Sequence, residues 1–292
     1  MPFAAFSAFV ALVLSSGACS LLVSTSDLAG SPLPSGTEGG PPLGGDAMSD
    51  APASSTDGSI EAEASSDAPS GCPGGLAGPS MVKVDAYCID STEVTNAQYA
   101  KFVQAKNGDI SGQPATCAWN TTYVPLPSCS LDTAEAAPVT CVDWCDAAAY
   151  CAWAGKRLCG RIGGGPSTPA TAALADADQW YRACSHAGQH VFPYGDTYAP
   201  STCNDSARGA GGPIAVGTSP GCQGGYPGLF DMSGNVVEWV DTCAASAGAN
   251  DACIIRGGAY DDDTSADFLQ CGSKSTNARQ SVDSTKGFRC CT

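Results

Sequence analysis

The chain has 292 residues and carries 29 acidic against 13 basic side chains, a net charge of −16. That balance excludes nucleic acid as a partner, because phosphates require a basic footprint. Seventeen cysteines with only two histidines, His186 and His190, at irregular spacings favour disulfides over zinc knuckles and point to an oxidising compartment.

Phe3 to Leu14 is an apolar run of about a dozen residues, short of the roughly 20 that span a bilayer and suited to a signal-peptide core. It ends in Leu14-Ser15-Ser16-Gly17-Ala18-Cys19, which resembles the lipobox of bacterial lipoproteins and makes Cys19 the candidate acylation site. No Lys or Arg precedes the run, and Ser16 stands where such motifs usually carry Leu, so ordinary secretion is the alternative. Setting Cys19 aside leaves an even number of cysteines that can pair completely. An exported protein follows, touching the membrane only through its lipid. Residues 20–71 are Ser, Pro, Gly, Ala and Asp with few large apolar side chains, the composition of a disordered tether. All Trp, all Tyr and the other sixteen cysteines lie in residues 72–292, read as one domain.

Within it, Thr95 and Gln98 form a capping box, and Val94 with Tyr99 a hydrophobic staple, opening a helix whose face is Tyr99, Phe102 and Val103. A second helix is predicted over 143–154, with Trp144, Ala148, Cys151 and Ala152 inward and Gly155 as its stop. Gly163-Gly164-Gly165-Pro166 and the Ala-rich run after it look like a surface insertion. A third helix is predicted over 178–184 and a strand over 253–255. The fold class is α+β, irregular, low in regular secondary structure and fixed by cross-links.

Six phrases in order then resemble the formylglycine-generating enzyme (sulfatase-modifying factor) family. They are Asp90 to Tyr99, Val142 to Leu158, Phe192-Pro193-Tyr194-Gly195, Gly228 to Trp239, Arg256-Gly257-Gly258-Ala259-Tyr260, and Gly287-Phe288-Arg289-Cys290. The resemblance implies that family's variant of the C-type-lectin-like fold. It also implies an active site of two cysteines that bind copper and oxidise a sulfatase cysteine with oxygen, soft thiolates being suited to Cu(I). Counted from Tyr260, the matching positions here are Asp262 and Asp267. Ala259 replaces the family's Ser, and Val237 its Trp. Copper chemistry is therefore not expected. The cluster Asp261, Asp262, Asp263 and Asp267 reads as a solvated acidic loop, with a hard-cation or basic-ligand site as the alternative. His186 and His190 read as structural; the iron-dependent branch of the superfamily needs three His from a further domain.

The resemblance further implies a structural calcium ion held by the Asp231 and Glu238 side chains and the Gly234 and Val236 carbonyls. A second calcium position would begin at Asn204, without an acidic partner. It implies the disulfides Cys151–Cys290 and Cys184–Cys271; Cys203–Cys222 and Cys243–Cys253 are plausible local pairs, and Cys290-Cys291 a vicinal pair reaching two partners. The expected function is a surface-displayed or periplasmic binding or scaffold module for a peptide, glycan or protein. The alternative is a metal-dependent enzyme of the same superfamily with altered oxidation chemistry.

Overall fold

A computed structural model of the chain describes residues 71–129, 132–262 and 267–292. The apolar run, Cys19, residues 20–70 of the tether and Asp263 lie outside the described residues. Two four-stranded sheets form the frame. One has the order β1-β2-β8-β3, from β1 (Met81–Val84), β2 (Tyr87–Asp90), β3 (Arg157–Leu158) and β8 (Cys290–Cys291). The other runs β6-β5-β4-β7, from β4 (Val237–Cys243), β5 (Ala252–Arg256), β6 (Ser275–Ala278) and β7 (Lys286–Phe288). The β4–β7 pairing is parallel, placing Glu238 opposite Gly287 and Trp239 opposite Phe288, and β4–β5 is antiparallel with an irregularity between Trp239 and Cys243.

The predicted helices are present. In α1 (Asn96–Lys106) the Thr95 hydroxyl accepts from Gln98 N, and Gln98 Oε1 accepts from Thr95 N. Asp143 caps α2 (Trp144–Trp153) by accepting from Cys145 N and Asp146 N, and Asp178 caps α3 (Gln179–Cys184). Gly155, at φ 73°, follows the end of α2 in a left-handed conformation that a Cβ would strain. The expected inward face of α2 needs correction, because Ala152 is exposed and Ala148 only half-buried. The buried side is Trp144, Ala147, Tyr150, Cys151 and Ala154. Rotation follows from what the helix must reach: Cys151 is bonded to Cys290, and Tyr150 packs among Tyr99, Phe102 and Phe288 at centroid distances of 5.3–5.6 Å.

All sixteen described cysteines are paired. The implied Cys151–Cys290 and Cys184–Cys271 bridges are there, as are both local pairs. Cys291 reaches Cys159, so the vicinal cysteines tie the C-terminal strand to two separate places. The Gly163–Gly165 turn is a surface feature pinned by Ser167, whose hydroxyl donates to Asp178 Oδ2 at 2.9 Å. Among the described residues no helix is long and apolar enough to cross a membrane. Eight disulfides belong to an oxidising compartment.

Cys184–Cys271 spans 87 residues, so opening it releases a large loop in the unfolded chain. Replacing both cysteines by serine is expected to lower the unfolding free energy by about 2–5 kcal/mol in guanidinium titrations under non-reducing conditions. A loss below about 1 kcal/mol would show that the strands hold without this staple.

Candidate functional site

The segment after β5 turns on Gly257 and Gly258, both at positive φ, and brings Ala259, Tyr260, Asp261 and Asp262 beside the start of β4. A groove of about 330 Å³ opens there. Val237, Ile255 and Ala259 supply apolar wall, half-exposed Phe268 and charged Asp261 and Lys274 its rim. Lys286, also lining it, is held by Ser281 Oγ at 3.2 Å and Asp283 at 3.5 Å. Three of the four family positions thus meet in one place: Val237, Ala259 and Asp262.

Asp262 Oδ2 accepts from Ala259 N at 2.6 Å, closing the turn locally. A Cβ on Gly258 would lie 2.8 Å from Leu269 and 3.0 Å from that same Oδ2, so only glycine lets the turn close this tightly. Asp267 is exposed and accepts from Gln270 Nε2 at 3.2 Å, and it does not line the groove. Among the described residues no group of three or more His, Cys, Asp and Glu is arranged to hold a metal. His186 and His190 sit elsewhere: one ring packs on Tyr226 at 5.2 Å, and the other faces Asp196 at 3.4 Å.

Behind the groove lies a buried polar centre that sequence reasoning had not assembled. Arg289, fully buried, donates to both oxygens of Glu238 at 2.7–2.9 Å and to the Asp231 and Asp90 carbonyls at 3.1 and 3.2 Å. Trp180 Nε1 donates to Glu238 Oε2 at 2.8 Å. Glu93 Oε1 accepts from Asn235 Nδ2 at 3.0 Å, while its Oε2 is buried without a hydrogen-bond partner, 3.9 Å from Arg289. Asp231, in left-handed backbone at φ 57°, accepts from Gly217 N at 2.6 Å. One ion pair farther out, Lys156–Asp90 at 2.5 Å, is also fully buried, and Asp90 Oδ2 accepts from Cys290 N. The sequence signal for the first pair was a lone base inside an apolar phrase, Gly287-Phe288-Arg289-Cys290; Lys156 is followed directly by Arg157 and carried no such signal.

Residues 53–292 match the Sulfatase-modifying factor enzyme 1-like domain. The chain belongs to this family. Within the sulfatase-modifying factor family it is 26% identical to the formylglycine-generating enzyme of Bos taurus, covering 74% of this chain and 68% of that one. It is 27% identical to the inactive C-alpha-formylglycine-generating enzyme 2 of Mus musculus, covering 72% and 76%. PvdO from Pseudomonas aeruginosa shares the fold, at a TM-score of 0.50 and 20% identity over 70% of this chain and 79% of that one.

Of the calcium donors implied by the family resemblance, the Glu238 carboxylate and Asp231 Oδ2 already have protein partners. Each Glu238 oxygen already carries two N–H contacts, and the cation facing it is a guanidinium. At the second position, Asn204 turns its amide nitrogen to the Gly212 carbonyl at 3.1 Å and to Asn235 Oδ1 at 3.0 Å, which leaves its own Oδ1 buried without a hydrogen-bond partner.

Burial pushes the Asp231 carboxyl up to about 6, and burial with the nearby Asp231 charge holds Glu93 well above the usual carboxylate range. Burial likewise lifts Asp143 to about 6, and burial with the Asp143 charge holds Asp146 well above the usual carboxylate range. These folded-state values lie above the unfolded ones, so between about pH 4 and 6 the native state holds protons that the unfolded chain has released. Stability should therefore fall as pH rises through that window. Urea midpoints are expected to be higher at about pH 5 than at about pH 7.5, and Glu93→Gln, which keeps the Asn235 contact without the charge, should flatten the slope. A midpoint that climbs over the same interval contradicts this account.

Proposed function

We propose that this domain is an exported, non-catalytic member of the family whose groove binds an extended peptide segment of a partner instead of oxidising a cysteine. The observation that carries this reading is the state of sulfur. Every described cysteine is committed to a disulfide, and the groove positions that would need thiols present Asp262 and, outside its lining, Asp267. Carboxylates cannot supply the soft ligands that Cu(I) selects. Similarity to a mammalian relative that is itself named inactive supports the same reading.

An extended peptide is favoured by the groove's neighbours. Val237, Ile255, Ser275, Asn277 and Lys286 line the groove from all four strands of the sheet, a run long enough to seat several residues of an extended segment. Val237, Ile255 and Ala259 provide a place for one apolar side chain of such a peptide, and the rim charges fix its orientation. At the other end of the chain, Cys19 is the acyl attachment point in this proposal. The sixteen described cysteines pairing among themselves supports reserving it for that role.

Two measurements test the proposal. The oxidised domain, incubated with Cu(I), oxygen and a cysteine-containing sulfatase peptide, is expected to form no aldehyde, whereas peptides enriched from a display library should lose at least about tenfold in affinity to Val237→Trp, since filling the pocket removes on the order of 1.4 kcal/mol or more of binding. Aldehyde formation would restore the enzymatic reading. Fatty-acid labelling of the full chain in a bacterial host should be abolished by Cys19→Ser; unlabelled wild-type protein recovered from the medium would replace anchoring by secretion.

A further inference from the structure

The misfit between the implied calcium ligands and the observed contacts has its own consequence. A calcium ion on the Asp231–Glu238 loop needs carboxylate and carbonyl oxygens turned toward a common point and free of other partners. Here Glu238 Oε1 meets Arg289 Nη2 at 2.7 Å and Nε at 2.9 Å, and Oε2 meets Nε at 2.8 Å and Trp180 Nε1 at 2.8 Å. The Asp231 carbonyl is taken by Arg289 Nη2, and Asp231 Oδ2 by the Gly217 amide. Arg289 has the remaining qualities of a resident cation. It is fully buried, its Nη1 donates to the Asp90 carbonyl, and Glu93 stands 3.9 Å away on the same side as Glu238.

We infer that the Arg289 guanidinium is the cation around which the Asp231–Glu238 loop is built, and that the domain keeps this loop without calcium. The physics is a competition for one carboxylate. A divalent ion seated on Glu238 would stand within a few ångströms of a buried positive charge, and their repulsion is poorly screened in a dry interior. The guanidinium also supplies what a spherical ion lacks: a planar fork that fixes two oxygens of one carboxylate and reaches two backbone carbonyls on different segments.

The test compares unfolding of the full exported chain in EGTA and in millimolar calcium. Wild-type protein is expected to melt at the same temperature in both, whereas an ion present at a hundred times its Kd would raise the midpoint by about 5–10 °C. Arg289→Met leaves Glu93, Asp231 and Glu238 without a cation, so its midpoint should drop and calcium should now raise it. Arg289→Lys retains one charge without the fork, and covers the case in which the methionine variant does not fold; it is expected to melt below wild type and to ignore calcium. A wild-type midpoint that falls in EGTA overturns the inference. So does a folded Arg289→Met variant that matches wild type in EGTA or shows no response to calcium.

Discussion

The structure depends on a single charge pair kept out of water, Arg289 with Glu238. Arg289 lies between β7 of one sheet and β8 of the other, and its guanidinium bonds Glu238 on β4 and the Asp90 carbonyl at the end of β2. It therefore spans both sheets and the Asp231 loop at once. A neutral side chain of the same length would leave Glu238 charged and dry, a situation that costs roughly 3–5 kcal/mol when one partner of a buried pair is removed. Flanking the arginine, Phe288 fills the aromatic core with Tyr99 and Tyr150, and Cys290 and Cys291 lock the last strand to α2 and to Cys159. The closing residues of the chain thus hold parts of the fold that are far apart in sequence.

From this frame the groove inherits its shape. Its wall is the start of β4 and the end of β5, and its lip is the Gly257–Asp262 turn, which Asp262 closes on Ala259. In that turn a carboxylate acts as a structural acceptor. Among the described residues, the aspartates at the two thiol positions each have a local partner. Asp262 is spent on backbone geometry and Asp267 on Gln270. What is left is an amphipathic cleft lined from all four strands of its sheet.

Local chemistry was legible residue by residue. Thr95 with Gln98 is a cap because short polar side chains satisfy the free amides of a first helical turn, and it caps as its sequence requires; Asp143 and Asp178, read only as the first residues of their helices, are caps as well. The face of α2 was legible only in part. Ala148 and Ala152 have no property that turns them inward, and the rotation was set by Cys151 and Tyr150 meeting partners more than a hundred residues away in one case and about fifty in the other. Whether the implied calcium ligands have other partners was hidden for a similar reason. A loop of Asp, Gly, Asn and Glu has the right atoms, but whether Glu238 is free depends on Arg289, 51 residues further on.

Sequence alone determined the disulfide-rich class, the family, the cap of α1 and the loss of thiols at Asp262 and Asp267, since each of these is a matter of which atoms are present and how closely they follow one another. Tertiary structure decided which oxygens remain available, which face of α2 is dry, and that Val237, Ala259 and Asp262 share one cleft while Asp267 stands outside it. Hydrogen bonding and burial are properties of pairs, and the partners here come from opposite ends of the domain. Their meeting is fixed by packing and cross-links rather than by spacing along the chain.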